Sequence, residues 1–306
     1  MRADAGHFAG LKITGSEIFA VITDLRAEPV ISQRVKLRDR QVCAVVEAME
    51  VQTGIQVNGV GISLGGSVAD GVTVLRAPFL GWRNVQLAAK VQDHLHRPVA
   101  LENDVQALTV AQQWFGAGRR TENFAVLTIG AGVGYGLVLN DRLIESADWG
   151  LGLIGHFPID PGGPQCAAGH RGCARAFLTI ESICTLAAQA YGEPLDYADV
   201  LRRAADGHRQ LGQLITQAGR ALGILAAAVA NLTGVKTIVL SGEGIGLFLA
   251  VEPTVRAAAA ERRDPEAAEL DFVPTPDNLA SSDFAEWARG AAAVAIERTL
   301  LGVISR

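Results

Sequence analysis

The chain opens with three runs of apolar and β-branched residues, Phe8–Ile13, Glu17–Thr23 and 30–37, which predict strands. Thr14-Gly15-Ser16 and Glu28-Pro29 supply the turns between them. Residues 40–52 show the spacing of an amphipathic helix that Gly54 ends. A strand over 57–64 is closed by Gly65-Gly66, and 72–77 predicts a shorter one. A helix over 85–94, a strand over 99–102 and a helix over 105–115 follow. Phe124–Ile129 and 136–139 are two more strand-length runs, with Gly130, Gly132 and Gly134 between them and Gly136 inside the second. The rest is mostly helical: 180–191, 197–205, 211–232 and 247–260, with a strand over 237–240 leading into Ser241-Gly242-Glu243-Gly244. Asp283 and Glu286 have the spacing of a capping box opening a last helix that runs to 300. Three strands, a helix, then strands and helices interleaved define a mixed α/β chain.

Composition narrows the function classes. With 306 residues and 49% hydrophobic content, one or two domains with full cores are expected. The net charge of −5 gives no overall basic field for holding DNA. Four cysteines, Cys43, Cys166, Cys173 and Cys184, are too few and too scattered for a disulfide framework, and no signal peptide is evident. A reducing cytoplasm is therefore the expected setting. The longest apolar tract, 221–230, is shorter than the ~20 residues of a membrane span, so a buried helix and no membrane partner are expected.

The glycines after Phe124–Ile129 are the first candidate chemistry. Glycine permits positive φ and close backbone approach, and successive N–H groups in such a turn can cradle phosphate oxygens. A plain glycine-rich hairpin accounts for the same residues. The dinucleotide fingerprint does not, because a strand follows rather than a helix.

The neighbouring segments decide what the turn belongs to. Glu102-Asn103-Asp104 lies at a strand-to-helix junction, and Thr128-Ile-Gly-Ala-Gly-Val-Gly-Tyr-Gly follows. Ile154-Gly-His156, then Pro164-x-Cys166-x-x-Gly-x-x-Gly-Cys173, and Ile238-Val-Leu-Ser-Gly-Glu-Gly complete the set. In this order the motifs resemble the ROK family, which contains bacterial sugar kinases and sugar-responsive transcriptional repressors. The resemblance implies a two-lobed actin-like ATPase (ribonuclease-H-like) fold with a ligand cleft between the lobes. Residues 1–104, completed by a returning helix over 283–306, would form the first lobe, and 105–282 the second. It further implies that Gly65, Gly66, Asn103, Asp104 and His156 face a sugar, and that Asp104 is the catalytic base if the protein is a kinase. Gly130, Ala131, Gly132 and Gly134 would be the phosphate loop, and Gly242, Glu243 and Gly244 the nucleotide-side loop. Dimers or tetramers are usual in the family. From the residues alone, Asp104 can equally cap the helix that begins at Val105.

The departures from the family pattern carry as much weight. The kinase loop Asp-x-Gly-Gly-Thr reads Lys12-Ile13-Thr14-Gly15-Ser16 here, so a base stands where an acid would order Mg²⁺. Unless Lys12 is simply an exposed strand residue, it repels the metal it should attract. Ala131 removes a hydroxyl from the phosphate loop. Two sugar-binding glutamates are replaced by Leu153 and Arg175, neither of which can accept a hydrogen bond. Arg175 is either an exposed helix residue or a reader of an anionic ligand such as a sugar phosphate or acidic sugar. The family's zinc ligands survive as His156, Cys166 and Cys173, but Ala168 replaces the middle cysteine. Three protein ligands do not close a structural zinc site unless water or a neighbour such as His170 joins them. No cofactor is otherwise expected, and ATP with Mg²⁺ enters only under the kinase alternative. Cys43 and Cys184 read as core residues, and His7, His94, His96 and His208 carry no assigned role.

Together these features predict the sugar-sensing domain of a ROK-type transcriptional regulator, without kinase activity. Few residues precede the first strand, so a helix-turn-helix is expected to belong to a module absent from this chain. The alternatives are an ATP-dependent hexose kinase and a stand-alone sugar-binding protein.

Overall fold

In the computed structural model, residues 5–37, 41–146, 148, 150–275 and 284–300 are described. The chain divides into two compact units: Met1–Arg119 with Leu143–Leu151 and Asp283–Arg306, and Arg120–Arg142 with Gly152–Ser282.

The first unit starts with an antiparallel meander, β1 (Phe8–Ile13), β2 (Glu17–Thr23) and β3 (Pro29–Lys36). Helix α1 (Gln41–Thr53) leads to β4 (Gly59–Leu64), which lies parallel to β1. A small antiparallel sheet of β5 (Ser67–Ala69), β6 (Thr73–Ala77) and β7 (Trp82–Val85) comes next. Helix α2 (Leu87–Leu95), β8 (Val99–Asn103) and α3 (Asp104–Trp114) follow. The main sheet has the order β3-β2-β1-β4-β8.

The second unit has β9 (Phe124–Ile129), β10 (Val133–Leu139) and β11 (Arg142–Leu143), then α4 (Ala174–Leu178), α5 (Ile180–Tyr191), α6 (Tyr197–Ala205) and α7 (Arg209–Thr233). It ends with β12 (Thr237–Ser241), α8 (Gly246–Ala260) and β13 (Asp271–Pro274), in a sheet of order β11-β10-β9-β12-β13. The last helix, α9 (Ala285–Leu300), belongs to the first unit.

Every residue of β1 and β4 is buried, because both faces of the sheet are covered. One face carries Leu11, Ile13, Ile18 and Ile62 into a core with Val46 and Met49 of α1. The other face receives α9 through glycines. A Cβ on Gly61 would lie 1.8 Å from the Ala291 carbonyl oxygen, and one on Gly10 would lie 2.0 Å from that of Ala288. The edge strand β3 keeps an alternating exposed pattern.

The expected boundary at residue 104 is displaced. Helix α3 stays in the first unit because Gly290 of α9 sits so close that its Cβ would be 2.0 Å from the Ala107 carbonyl oxygen. Residues 143–151 also return to the first unit. The proposed capping residue Asp283 lies outside the described residues. Helix α7 is longer than its apolar tract: its 25 residues satisfy the length and composition of a membrane span, yet 61% of its most apolar window is buried inside the structure. Helix α8 is kinked at Val251 (φ −137°), two residues before Pro253.

Candidate functional site

In the first unit the C-terminal ends of three parallel strands bring the Lys12, Gly65 and Asn103 regions to one edge. Lys12 pairs in register with Ser63, and Leu64 with Asn103. Asn103, in extended conformation, is the N-cap of α3: its side-chain oxygen accepts from the Val105 N–H at 2.9 Å and the Gln106 N–H at 3.2 Å. Its amide nitrogen donates to the Gly66 carbonyl at 3.0 Å. The cap is thus Asn103 rather than Asp104, whose Oδ1 accepts only from the Val105 N–H at 2.9 Å. Gly65 separates the Phe79 ring from the Asp104 carboxylate, since its Cβ would meet them at 3.2 and 3.3 Å. Gly150, at φ +89°, packs on the Gly66 carbonyl.

Lys12 is not an exposed strand residue. It is 4% exposed, on the α9 face of β1, and its ammonium is salt-bridged to Asp104 Oδ2. The same nitrogen lies 5.0 Å from the Trp287 ring centroid and 5.5 Å from that of Phe284. Two aromatic faces and a carboxylate offset the desolvation of a buried cation. Residue order hinted at this, because a lone charge in a strand buried on both faces needs a partner. The partner itself stands 92 positions away and was not legible.

In the second unit Gly130 and the loop after β12 meet. The Gly244 N–H donates to the Ile129 carbonyl at 2.8 Å, and a Cβ on Gly130 would fall 2.0 Å from Glu243 Oε2. None of Gly130, Gly132, Gly134 and Gly136 uses the positive φ that glycine permits; Gly242, at +97°, does. Gly134 and Gly136 lie within β10, paired in register with Thr128 and Val126. Of these glycines Gly130 serves close packing, and the missed element is the Glu243 carboxylate laid against it.

His156 ends a 3₁₀ turn, Leu153–His156, whose first residue is 58% exposed. Its Nδ1 is 4.0 Å from Cys166 Sγ and 3.9 Å from Cys173 Sγ, a group able to hold a metal ion. Burial, His170 and Arg175 together hold the His156 imidazole below its ordinary value. Burial raises the Cys166 thiol, but backbone N–H groups of Ala168 and His170, the Cys173 thiol and Arg175 outweigh it and leave it lowered. The Cys173 thiol is raised, chiefly by burial. Arg175, on α4, is half-buried and makes no side-chain hydrogen bond or ion pair among the described residues. Cys43 is half-buried and packs against the core of the first unit, and Cys184 is half-buried. The sugar-side candidates Gly65, Gly66, Asn103 and Asp104 belong to the first unit; His156 and Arg175 belong to the second.

Two α/β units built on sheets of this order define the actin-like ATPase fold. The ROK family profile matches residues 8–298, and the chain belongs to the ROK family. It is 34% identical to a glucokinase of Thermotoga maritima over 146 residues, 47% of this chain and 46% of that protein. It is 25% identical to the DNA-binding transcriptional repressor Mlc of Escherichia coli over 284 residues, 85% of this chain and 70% of that protein. The crystal structure of a ROK family transcriptional regulator, a homologue of E. coli Mlc, superposes with a TM-score of 0.83 at 23% identity, covering 99% of this chain and 82% of that one. The matched region thus spans less than half of the glucokinase, and the relatives include both sugar kinases and repressors.

Proposed function

We propose that this chain is a sugar-binding effector domain of a ROK-type regulator that does not phosphorylate its ligand. The buried Lys12–Asp104 ion pair carries the reading. A kinase base must be free to take a proton from a sugar hydroxyl as the phosphoryl group arrives. Here that carboxylate is held by an ammonium. The ammonium also stands where an acid would attract Mg²⁺. Two unit charges ~4 Å apart at an effective dielectric of ~20 interact by about 4 kcal/mol, so reversing the sign turns attraction into a comparable penalty. In the second unit the Glu243 carboxylate against Gly130 would repel a phosphate in the same manner, and Ala131 offers it no hydroxyl.

The ligand of this reading is a sugar or sugar derivative carrying an anionic group. Arg175, cationic and without a side-chain partner among the described residues, replaces a family acceptor beside His156. DNA contact would come from a module other than the two units described, and self-association as a dimer or tetramer follows the family habit.

The second reading, an ATP-dependent hexose kinase with Asp104 as base, draws on the retained Asn103-Asp104 pair at the strand-to-helix junction. A coupled assay with ATP, Mg²⁺ and a panel of hexoses separates the two. The effector reading expects turnover no higher than that of an Asp104→Asn variant, together with calorimetric binding of at least one sugar or sugar phosphate. Turnover clearly above that variant establishes the kinase.

A further inference from the structure

The small sheet β5-β6-β7 breaks a rule that the main sheet keeps. On β2 and β3 of the main sheet, facing charges are of opposite sign. Glu17 lies opposite Lys36 and takes both hydrogen bonds of the Arg34 guanidinium, at 2.9 and 2.7 Å. In the small sheet Arg76 of β6 lies directly opposite Arg83 of β7. Both are exposed, and neither side chain has a hydrogen bond or ion pair among the described residues. Side chains directly opposite on an antiparallel pair start ~5 Å apart, and like charges there destabilise the sheet. The two strands therefore hold two cations together with no acid paired to either.

Glycine fixes the hairpin in place. A Cβ on Gly66 would lie 2.3 Å from the Arg76 carbonyl oxygen and 2.9 Å from the Ala77 α-carbon, so β6 rests directly on that backbone. Between β6 and β7 the chain makes a 3₁₀ turn, Pro78–Leu80, with proline at its start and Gly81 at φ +66° after it. Proline locks φ at the entry to the turn and restricts its motion. The turn holds Phe79 54% exposed, with its ring against Gly65, where the Asp104 carboxylate also lies. The root of Arg76 and the carboxylate of Asp104 thus meet neighbouring glycines, whose α-carbons are ~3.8 Å apart.

A guanidinium pair of this kind suits one chemistry. Each guanidinium donates two parallel hydrogen bonds, and a phosphate monoester offers three terminal oxygens and close to two negative charges to receive them. A carboxylate, with two oxygens and one charge, satisfies a single arginine. We propose that Arg76 and Arg83 together bind the phosphate monoester of a small ligand, with Phe79 as the shelf for the rest of that ligand. The sugar in this picture rests on the effector reading; the phosphate does not. Arg175 belongs to the second unit and is not required.

The test uses the full chain, with inorganic phosphate, glucose, glucose 6-phosphate and mannose 6-phosphate as calorimetric probes. Inorganic phosphate should bind, and should raise the melting temperature beyond chloride at equal ionic strength, which separates a site from screening. A sugar phosphate should bind more tightly than phosphate alone. Arg76→Gln and Arg83→Gln should each weaken phosphate and sugar phosphate by about 10–100-fold and leave glucose within about twofold. Phe79→Ala should weaken the sugar phosphate by about 3–10-fold and leave inorganic phosphate unchanged. Equal effects of phosphate and chloride, or unchanged phosphate affinity in both arginine variants, would overturn the proposal whether or not sugars bind. A phosphoserine peptide that binds through the same arginines more tightly than either sugar phosphate would also overturn it, since the partner would then be a protein. Phosphate held by the arginines, with no added affinity from any of the sugars, would overturn the effector reading and leave the anion site in place.

Discussion

Asp104 is salt-bridged to Lys12, 92 positions earlier, with side chains 14% and 5% exposed. Breaking a buried pair by removing one partner strands the other charge, at a cost of about 3–5 kcal/mol. Lys12→Met and Asp104→Asn should each lower stability by that order in urea unfolding. The double variant Lys12→Met/Asp104→Asn should recover part of the loss, and a coupling energy near zero would show that the pair does not form.

Close helix-on-sheet packing predicts a contrast between two glycines. Gly61→Ala drives a methyl into the Ala291 carbonyl and should destabilise the protein by about 1–3 kcal/mol or more. Gly132 has nothing within 4 Å of its Cβ position and no positive φ, so Gly132→Ala should change stability by no more than about 0.5 kcal/mol. Thermal melts of the two variants side by side provide the check.

Burial holds Glu102 and Glu297 above the ordinary glutamate value; Glu145 adds to the shift and Arg298 opposes it. Because each folded carboxyl binds its proton more tightly than the unfolded one, the stability it contributes is complete below the ordinary value of about 4.3. That contribution is lost as pH rises through the raised value. Urea midpoints should therefore carry a downward component over that interval, and Glu102→Gln should flatten it. An unchanged slope in the variant would remove Glu102 as its source.

If Arg175 reads an anionic group, calorimetry should give tighter binding for a sugar phosphate than for the parent sugar. Arg175→Glu should cost the phosphate about 10–100-fold, the worth of a hydrogen bond to a charged group, and reverse the preference. A neutral sugar that binds better to the unaltered protein rules this ligand class out.

Strands and helices with long, regular patterns were legible. Phe8–Ile13, Glu17–Thr23, Phe124–Ile129, Ile180–Tyr191 and Tyr197–Ala205 have the bounds their residues predict. The short elements were not. Trp82–Val85 and Asp271–Pro274 each have four residues, one holding Asn84 at φ +50° and the other ending in proline, and pairing with neighbours holds them rather than local preference. Gly134 reads as a turn residue yet lies in β10, where the register with β9 overrides its propensity. At the candidate site the residue types were visible, but their partners were not. Neither the tie between Lys12 and Asp104 nor the contact of Glu243 with Gly130 leaves a trace in local spacing.

The way α9 fills the glycine-lined face of β1 and β4 bears on how the protein is made. A ribosome delivers that sheet near the start of translation and its covering helix near the end. Until then the nascent sheet presents a bare apolar surface, while the whole second unit is synthesised and free to fold. Shielding by a chaperone during that interval, or a stop codon that removes the helix, would decide between soluble protein and aggregate.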